Sequence, residues 1–428
     1  MAAYAWMFPN PGAHLPGSLG PLLDGDGGEE CRSWLKAIDE VAGDHGWSPV
    51  SPLLSQAGRE EAEGVQHLWL GFFATSVVLA GLLRQAGIEA RVYLGHSSGE
   101  VTALVAANAL TVTDGARVLC ERVRAVTETG PPRGAMLALG AGIRRVRDMC
   151  GAVDDGSLAV AVDNGPRQVV VSGQATAIRT LGLLAETVGV RATPLDIPGA
   201  YHNPMMAAAA RRFAETTSEM PVRAPDTPVY SPQLGRVLRG VDDVRELLAG
   251  LLVLPVGFRQ ALRDLYDDGC DTFVECGART VLSDLVTATL PPAARVVPLL
   301  PGRAAAHDLP GTIAALATPL PAGPEVAETA EVAAAPPPVA TGLPPGQELV
   351  EEIRRMYADV LQYPLDVVTA QVELEAELGV SSVMQTQVFV RLLDRYGLPT
   401  PTADVRVFSY RTVEQVAELL RRLAARGR

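Results

Sequence analysis

Positive charge is in short supply in this chain. Its 36 lysines and arginines face 49 aspartates and glutamates, a formal net charge of −13. A nucleic acid or an anionic membrane asks for a basic surface, so neither is expected as a partner. Cysteine is scarce too. The five, Cys31, Cys120, Cys150, Cys270 and Cys276, are odd in number and scattered, with no Cys-x-x-Cys pair. That excludes a disulfide framework, leaves no metal site to expect, and fits a reducing cytoplasm. Long hydrophobic runs are missing. The longest, "LLAGLLVLPVGF" from Leu247 to Phe258, is too short to span a bilayer and contains a proline. The opening "MAAYAWMFPNPG" has no basic segment and no long apolar stretch, so it does not read as a secretory signal. A cytoplasmic protein is expected.

What is present describes an ordinary globular protein, 48% hydrophobic and 20% charged. At 428 residues it has room for two or more domains. The clearest boundary is the Ala/Pro-rich stretch over residues 318–345, which has no aromatic residue and no amphipathic period. It reads as a linker between a domain over 1–317 and another over 346–428. About 28 residues of flexible coil span roughly 30 Å, and up to about 85 Å as polyproline II. In the first domain strand-like and helix-like segments alternate, the order of an α/β fold with a mainly parallel sheet. "GVQHLWLGFFATSVVLAGLLRQAG" (Gly64 to Gly87) is apolar on nearly every face and predicts a buried helix. Over about 134–197 the rhythm becomes β-α-β-β-α-β, a ferredoxin-like subdomain inserted into the larger one.

The second domain reads as a small all-α bundle of three or four helices. Leu349, Ile353, Met356, Tyr357 and Val360 share one helix face. Val413, Val416, Ala417, Leu420 and Leu423 form the apolar stripe of the last helix. Thr412 is expected to cap that helix, with Gln415 reaching back as in a capping box.

"VYLGHSSGEV" (Val92 to Val101) runs an apolar strand into a glycine-flanked serine and then a helix. That is the layout of a nucleophile elbow. Five letters alone are weak, since roughly 0.2 accidental Gly-x-Ser-x-Gly matches are expected at these residue frequencies. A serine hydroxyl also needs a base with a pKa near neutrality, which points to histidine. Six are available: His14, His45, His67, His96, His202 and His307. His96 adjoins the serine, but adjacent side chains of an elbow diverge. His307 lies in a polar tail beside the linker. His202, in "DIPGAYHNPMM", stands where the chain re-enters the large domain, either as the base or as a loop histidine.

"GHSSGE" (Gly95 to Glu100) resembles the GHSxGE motif of acyltransferase domains, as in malonyl-CoA:ACP transacylases and modular polyketide synthases. The resemblance covers residues 1 to about 317 and implies an α/β-hydrolase-like core carrying the ferredoxin-like insert. It implies Ser97 as nucleophile. It implies His202 as base, because "GAYH" (Gly199 to His202) stands where the family has HAFH or YASH. It implies Arg122, 25 positions after Ser97, as the guanidinium that grips a substrate carboxylate bidentately. Tyr201 is implied in the specificity pocket, where its bulk favours malonyl, and Trp69 stands near a usual pocket glutamine. The backbone N–H of Ser98 is implied in the oxyanion hole. The family's FPGQG is "FPNPG" here (Phe8 to Gly12). Pro11 takes the place of the glutamine whose N–H is the second donor, and proline has none. Either an N–H at Asn10 or Gly12 takes over, or the enzyme is slow. "ECGA" (Glu275 to Ala278) replaces the usual EVGP.

"LGVSSV" (Leu378 to Val383) resembles the LGxDSL motif of acyl carrier proteins, over about residues 344 to 428. Ser382 is implied as the attachment point of 4′-phosphopantetheine, with Ser381 in place of the family's aspartate. Glu373, Glu375 and Glu377 put negative charge before the site, which suits docking on basic patches. Together these readings imply a ping-pong transfer of a malonyl-type group from acyl-CoA to the chain's own carrier. The expected partners are a phosphopantetheinyl transferase and a ketosynthase of a polyketide synthase. The latter would act in trans, since the chain starts directly at the acyltransferase. A monomer is expected. A thioesterase or hydrolase, and an inactive scaffold beside a carrier loaded by other enzymes, remain the alternatives.

Overall fold

The computed structural model describes residues 3–24, 28–56, 65–130, 134–195, 197–317, 343–344 and 346–361. Of the rest it describes 365, 367–374, 377–378, 380, 385, 388–389, 392–393, 395–396, 398 and 410–426. The chain forms two compact units, residues 1–300 with 309–319, and residues 301–308 with 320–428. Most of the expected linker over 318–345 lies outside the described residues.

The first unit is built on a six-stranded sheet in the order β10-β9-β1-β2-β7-β8. These strands are β1 (Tyr4–Phe8), β2 (Val92–Gly95), β7 (Val229–Ser231), β8 (Arg236–Val237), β9 (Thr272–Ala278) and β10 (Arg295–Leu300). All pairs are parallel except the β7–β8 edge. Ala5, Trp6, Met7 and Phe8 are fully buried, as befits a central strand covered by helices on both faces. One covering element is the Val65–Gln85 helix. Its His67–Gln85 stretch is the one segment among the described residues long and apolar enough to cross a membrane. Since 83% of that stretch is buried in the fold, it is a core helix. The parallel register pairs Phe8 with Gly95, so β1 and β2 end side by side, where α/β sheets place their ligands.

The insert has the expected order: β3 (Gly134–Leu139), helix Ile143–Val153, β4 (Ala159–Gly165), β5 (Gln168–Gln174), helix Ala175–Thr187, and β6 (Ala192–Leu195). Its antiparallel sheet runs β4-β5-β3-β6, the ferredoxin-like arrangement. Strand alternation divides its side chains between two jobs. Leu137, Leu139, Val169 and Val171 pack on the insert's own helices. Met136, Ala138, Gln168 and Val170 line a cavity on the opposite face. The insert is tied to the large domain by reciprocal backbone bonds, Asp163 N–H to Val256 O and Val256 N–H to Ala161 O, both 2.9 Å. An Arg259–Asp163 ion pair of 2.8 Å stands beside them.

In the second unit the helices Gly346–Leu361 and Val413–Arg426 share one apolar core. Leu349, Ile353 and Tyr357 are fully buried, and so are Val413, Ala417 and Leu420. Thr412 caps the last helix, its Oγ1 accepting from Gln415 N–H at 3.3 Å. The reciprocal half of the capping box differs from expectation. Gln415 Oε1 accepts from Arg411 N–H at 2.7 Å, one residue before the cap, where the chain bridges to Glu373 and Arg411 O accepts from Leu374 N–H at 2.8 Å. Ser381, Ser382 and Glu375 lie outside the described residues.

Candidate active site

Ser97 sits at the tip of the turn between β2 and the Gly99–Ala106 helix, with φ +55°. A non-glycine residue in this left-handed region is strained, and the strain is what lifts the side chain clear of the strand. The turn closes only because Gly99 has no side chain. A Cβ there would stand 2.1 Å from the Phe8 carbonyl oxygen. His96 N–H donates to the same carbonyl at 2.9 Å.

His202 reaches the serine across the cavity, Nε2 lying 2.7 Å from Ser97 Oγ. Its other ring nitrogen, Nδ1, is 2.8 Å from the Leu254 carbonyl. A carbonyl can only accept, so Nδ1 carries the proton and Nε2 presents a lone pair to the serine hydroxyl. The histidine is thereby oriented by a main-chain group instead of a carboxylate. Gln233 Nε2 donates to the same carbonyl at 3.0 Å, holding it in place. Burial and the nearby Arg122 charge push the His202 pKa down to about 3. The base is therefore neutral across the physiological range.

Arg122 comes from the Val112–Thr129 helix and is buried. Its guanidinium carbon lies 4.0 Å from the Trp69 ring centroid and 4.4 Å from that of Tyr201. Two aromatic faces offer cation–π attraction in place of a counter-charge. Nε and Nη1 have no hydrogen-bond partner among the described residues. Burial lowers the Arg122 pKa, Tyr201 opposes the shift, and among the described residues no carboxylate relieves it. A buried cation with free planar donors is a receptor for a carboxylate.

These groups share one cavity of about 210 Å³, lined among others by Ser97, Ser98, His202, Arg122, Trp69 and Tyr201. Asn10, Pro11, Gly12 and His96 line it too. Ser98 stands at the N-terminus of the Gly99–Ala106 helix, where backbone N–H groups favour negative charge. His96 bonds Asn164 Oδ1 at 2.7 Å and Asn10 Nδ2 at 3.1 Å, and its ring meets Phe258 edge-on at 4.9 Å. His45 is elsewhere, on Val41 O and Glu121.

Two participants were not legible in the sequence, nor was the role of a third, Glu100 of the quoted motif. The Leu254 acceptor is a backbone atom, although Pro255 is a hint, since a residue before proline is kept out of the helical region. Gln233 sits in "SPQLGR", which reads as a turn. Glu100, fully buried beneath the elbow, accepts from Gln233 N–H at 3.3 Å. Burial raises its pKa to about 8.

Comparison with known proteins agrees with this fold. Residues 29–318 match the acyl transferase domain family, and residues 351–420 the phosphopantetheine attachment site family. The malonyl CoA-acyl carrier protein transacylase of Bacillus subtilis is 30% identical over 291 residues, 67% of this chain and 90% of that protein. The spectinabilin polyketide synthase system protein NorA′ of Streptomyces orinoci is 32% identical over 285 residues, 66% of this chain but only 8% of its own length. The crystal structure of a malonyl-CoA:acyl carrier protein transacylase from Xanthomonas oryzae pv. oryzae superposes with a TM-score of 0.66 at 30% identity. That match covers 74% of this chain and 98% of the other. The chain belongs to the acyl transferase domain family and joins that domain to a carrier domain whose cofactor is covalent 4′-phosphopantetheine.

Proposed function

We propose that the chain moves a malonyl group from coenzyme A, through an ester on Ser97, to its own carrier domain. The observation that carries this reading is the single cavity in which a serine–histidine pair faces an unpaired buried arginine. Ser97 Oγ attacks the thioester carbonyl while His202 Nε2 takes the hydroxyl proton. The Ser98 N–H stabilises the oxyanion. The carbon–sulfur bond then breaks, and His202 returns the proton to the leaving thiolate. Arg122 holds the distal carboxylate throughout, and Trp69 and Tyr201 fix the guanidinium plane. Their bulk favours malonyl over branched homologues.

The covalently held 4′-phosphopantetheine supplies the thiol that accepts the acyl group, and we assign its attachment to Ser382. The described neighbours suit such a site. Leu378 and Val380 are buried, and Val380 N–H bonds Leu374 O at 2.7 Å, anchoring the chain just before the serines. The Ala/Pro-rich composition of residues 318–345, between the proposed domains 1–317 and 346–428, suits a spacer that gives the carrier reach. The names of the relatives support a place in polyketide synthesis, and supply of a synthase in trans is our reading of it.

Intact-protein mass spectrometry tests the reading. The phosphopantetheine-loaded protein is offered malonyl-, methylmalonyl-, hydroxymalonyl- and acetyl-CoA together, with Ser97→Ala and Ser382→Ala alongside. A malonyl mass on the arm that vanishes in Ser97→Ala is expected. An arm that fills equally without Ser97 would make the carrier a client of another enzyme.

A further inference from the structure

An oxyanion needs more than one donor, and the loop facing the elbow is poor in them. Pro9 and Pro11 have no N–H. The N–H of Gly12 is taken, donating to Asn10 Oδ1 at 3.0 Å. We infer that the side-chain amide of Asn10 is the second oxyanion donor, replacing the backbone N–H that Pro11 removes. The inference rests on the acyl-Ser97 reading.

The orientation of the amide follows from a chain of hydrogen bonds. Asn164 Nδ2 donates to Gln168 Oε1 at 2.8 Å, so Asn164 presents its Oδ1 to His96. That oxygen lies 2.7 Å from His96 Nε2, which must donate. Burial lowers the His96 pKa, so the ring is neutral and Nδ1 is an acceptor. Asn10 Nδ2, 3.1 Å away, therefore donates to Nδ1 with one proton. Asn10 Oδ1 is independently fixed by Gly12 N–H, which rules out the flipped amide. The second Nδ2 proton has no acceptor assigned by this network, and Asn10 lines the cavity that Ser97 opens onto.

The position is rigid as well as oriented. Pro9 passes between two glycines that admit no side chain. A Cβ on Gly99 would stand 2.5 Å from the Pro9 carbonyl oxygen, and one on Gly277 2.2 Å from the Pro9 ring. Asn10, the next residue, is thereby held against the elbow. A donor fixed before the reaction loses little to reorganisation when charge develops.

The test is rapid-quench measurement of acyl-Ser97 formation in the full-length protein, with folding followed by thermal melting. Asn10→Ala and Asn10→Asp are each expected to lower kcat by about 10²–10³-fold with KM nearly unchanged. Asn10→Gly should fall as far, while Asn10→Gly/Pro11→Gln, which restores a backbone N–H at position 11, should recover to within about tenfold of the wild type. Asn10→Ala acylating within about threefold of wild type would give the role to the Asn10 backbone and overturn the inference. So would a loss confined to KM, or a double variant no faster than Asn10→Gly. A wild type that forms no acyl-Ser97 defeats the acyl-serine reading itself, and the two failures are told apart by which protein falls silent.

Discussion

Two buried ionisable groups in the first unit are treated in opposite ways. Glu275, on β9, is fully enclosed and accepts from Leu282 N–H at 2.9 Å, Ser283 N–H at 2.8 Å and Ser283 Oγ at 2.6 Å. Its carboxyl closes the N-terminus of the Val281–Thr289 helix, so the fold itself supplies every partner. Arg122 is equally buried, yet it meets aromatic faces, and Nε and Nη1 have no acceptor among the described residues. A buried charge without a counter-charge is costly, and it persists where something brought from outside completes it. In this pair, satisfaction by the fold goes with a structural role and its absence with a binding one.

Removing Arg122 should break this contrast most visibly. Arg122→Ala is expected to lower malonyl kcat/KM by about 10²–10³-fold, the cost of losing a buried partner to a carboxylate. Acetyl transfer, which has no carboxylate to hold, should fall far less. Competition between malonyl- and acetyl-CoA, read on the carrier arm, measures both at once. An equal loss for both substrates would make Arg122 structural. The same variant carries a pH signature. The Arg122 charge is the second cause, after burial, of the depressed His202 pKa. Wild-type acylation should therefore be flat from about pH 5 to pH 8, because the base titrates near 3. In Arg122→Ala, assayed with acetyl-CoA, the acid limb should move to higher pH.

Glu275 should respond in the other currency. Glu275→Ala strands two helix N–H groups and a hydroxyl, and about 3 kcal/mol of unfolding free energy is expected to go, measured by urea denaturation. The malonyl-to-acetyl ratio should not change. A change in that ratio with stability intact would place Glu275 in the binding site and erase the contrast.

How much of this was legible in the sequence depended on whether a group acts through its side chain. The β-α-β-β-α-β rhythm of the insert could be read because strand alternation and helix periodicity are side-chain patterns. Ser97, His202 and Arg122 could be picked out because their motifs name side chains, and the structure brings the three to one cavity. The Leu254 carbonyl could not, since every residue has one and only the fold decides which faces a histidine. Trp69 lies in a helix apolar on nearly every face and reads equally well as core, although it is one wall of the arginine clamp. Pro11 was readable only as a loss. The compensating amide of Asn10 emerges from hydrogen bonds that run from residue 10 to residue 168, far outside any local pattern.

A third buried group tests whether lacking a partner always means binding. Glu100 Oε2 has no hydrogen-bond partner among the described residues, as with Arg122, yet the group lies beneath the elbow and outside the cavity lining. Burial lifts its pKa from 4.5 to about 8, so near neutrality it is a neutral acid with little need of a counter-charge. The sign of the linkage follows. Between pH 4.5 and pH 8 the unfolded chain releases this proton while the folded chain keeps it, so stability falls as pH rises through that window and levels off above it. Glu100→Gln keeps an oxygen for Gln233 N–H and removes the titration. Its stability relative to wild type should climb from pH 5 to pH 8, by an amount on the order of a few kcal/mol, and then stay level. Thermal melts of both proteins across that range check it. A difference independent of pH would mean that Glu100 is already ionised in the fold, and an unpaired buried carboxylate beside Ser97 would then need a cation to explain it.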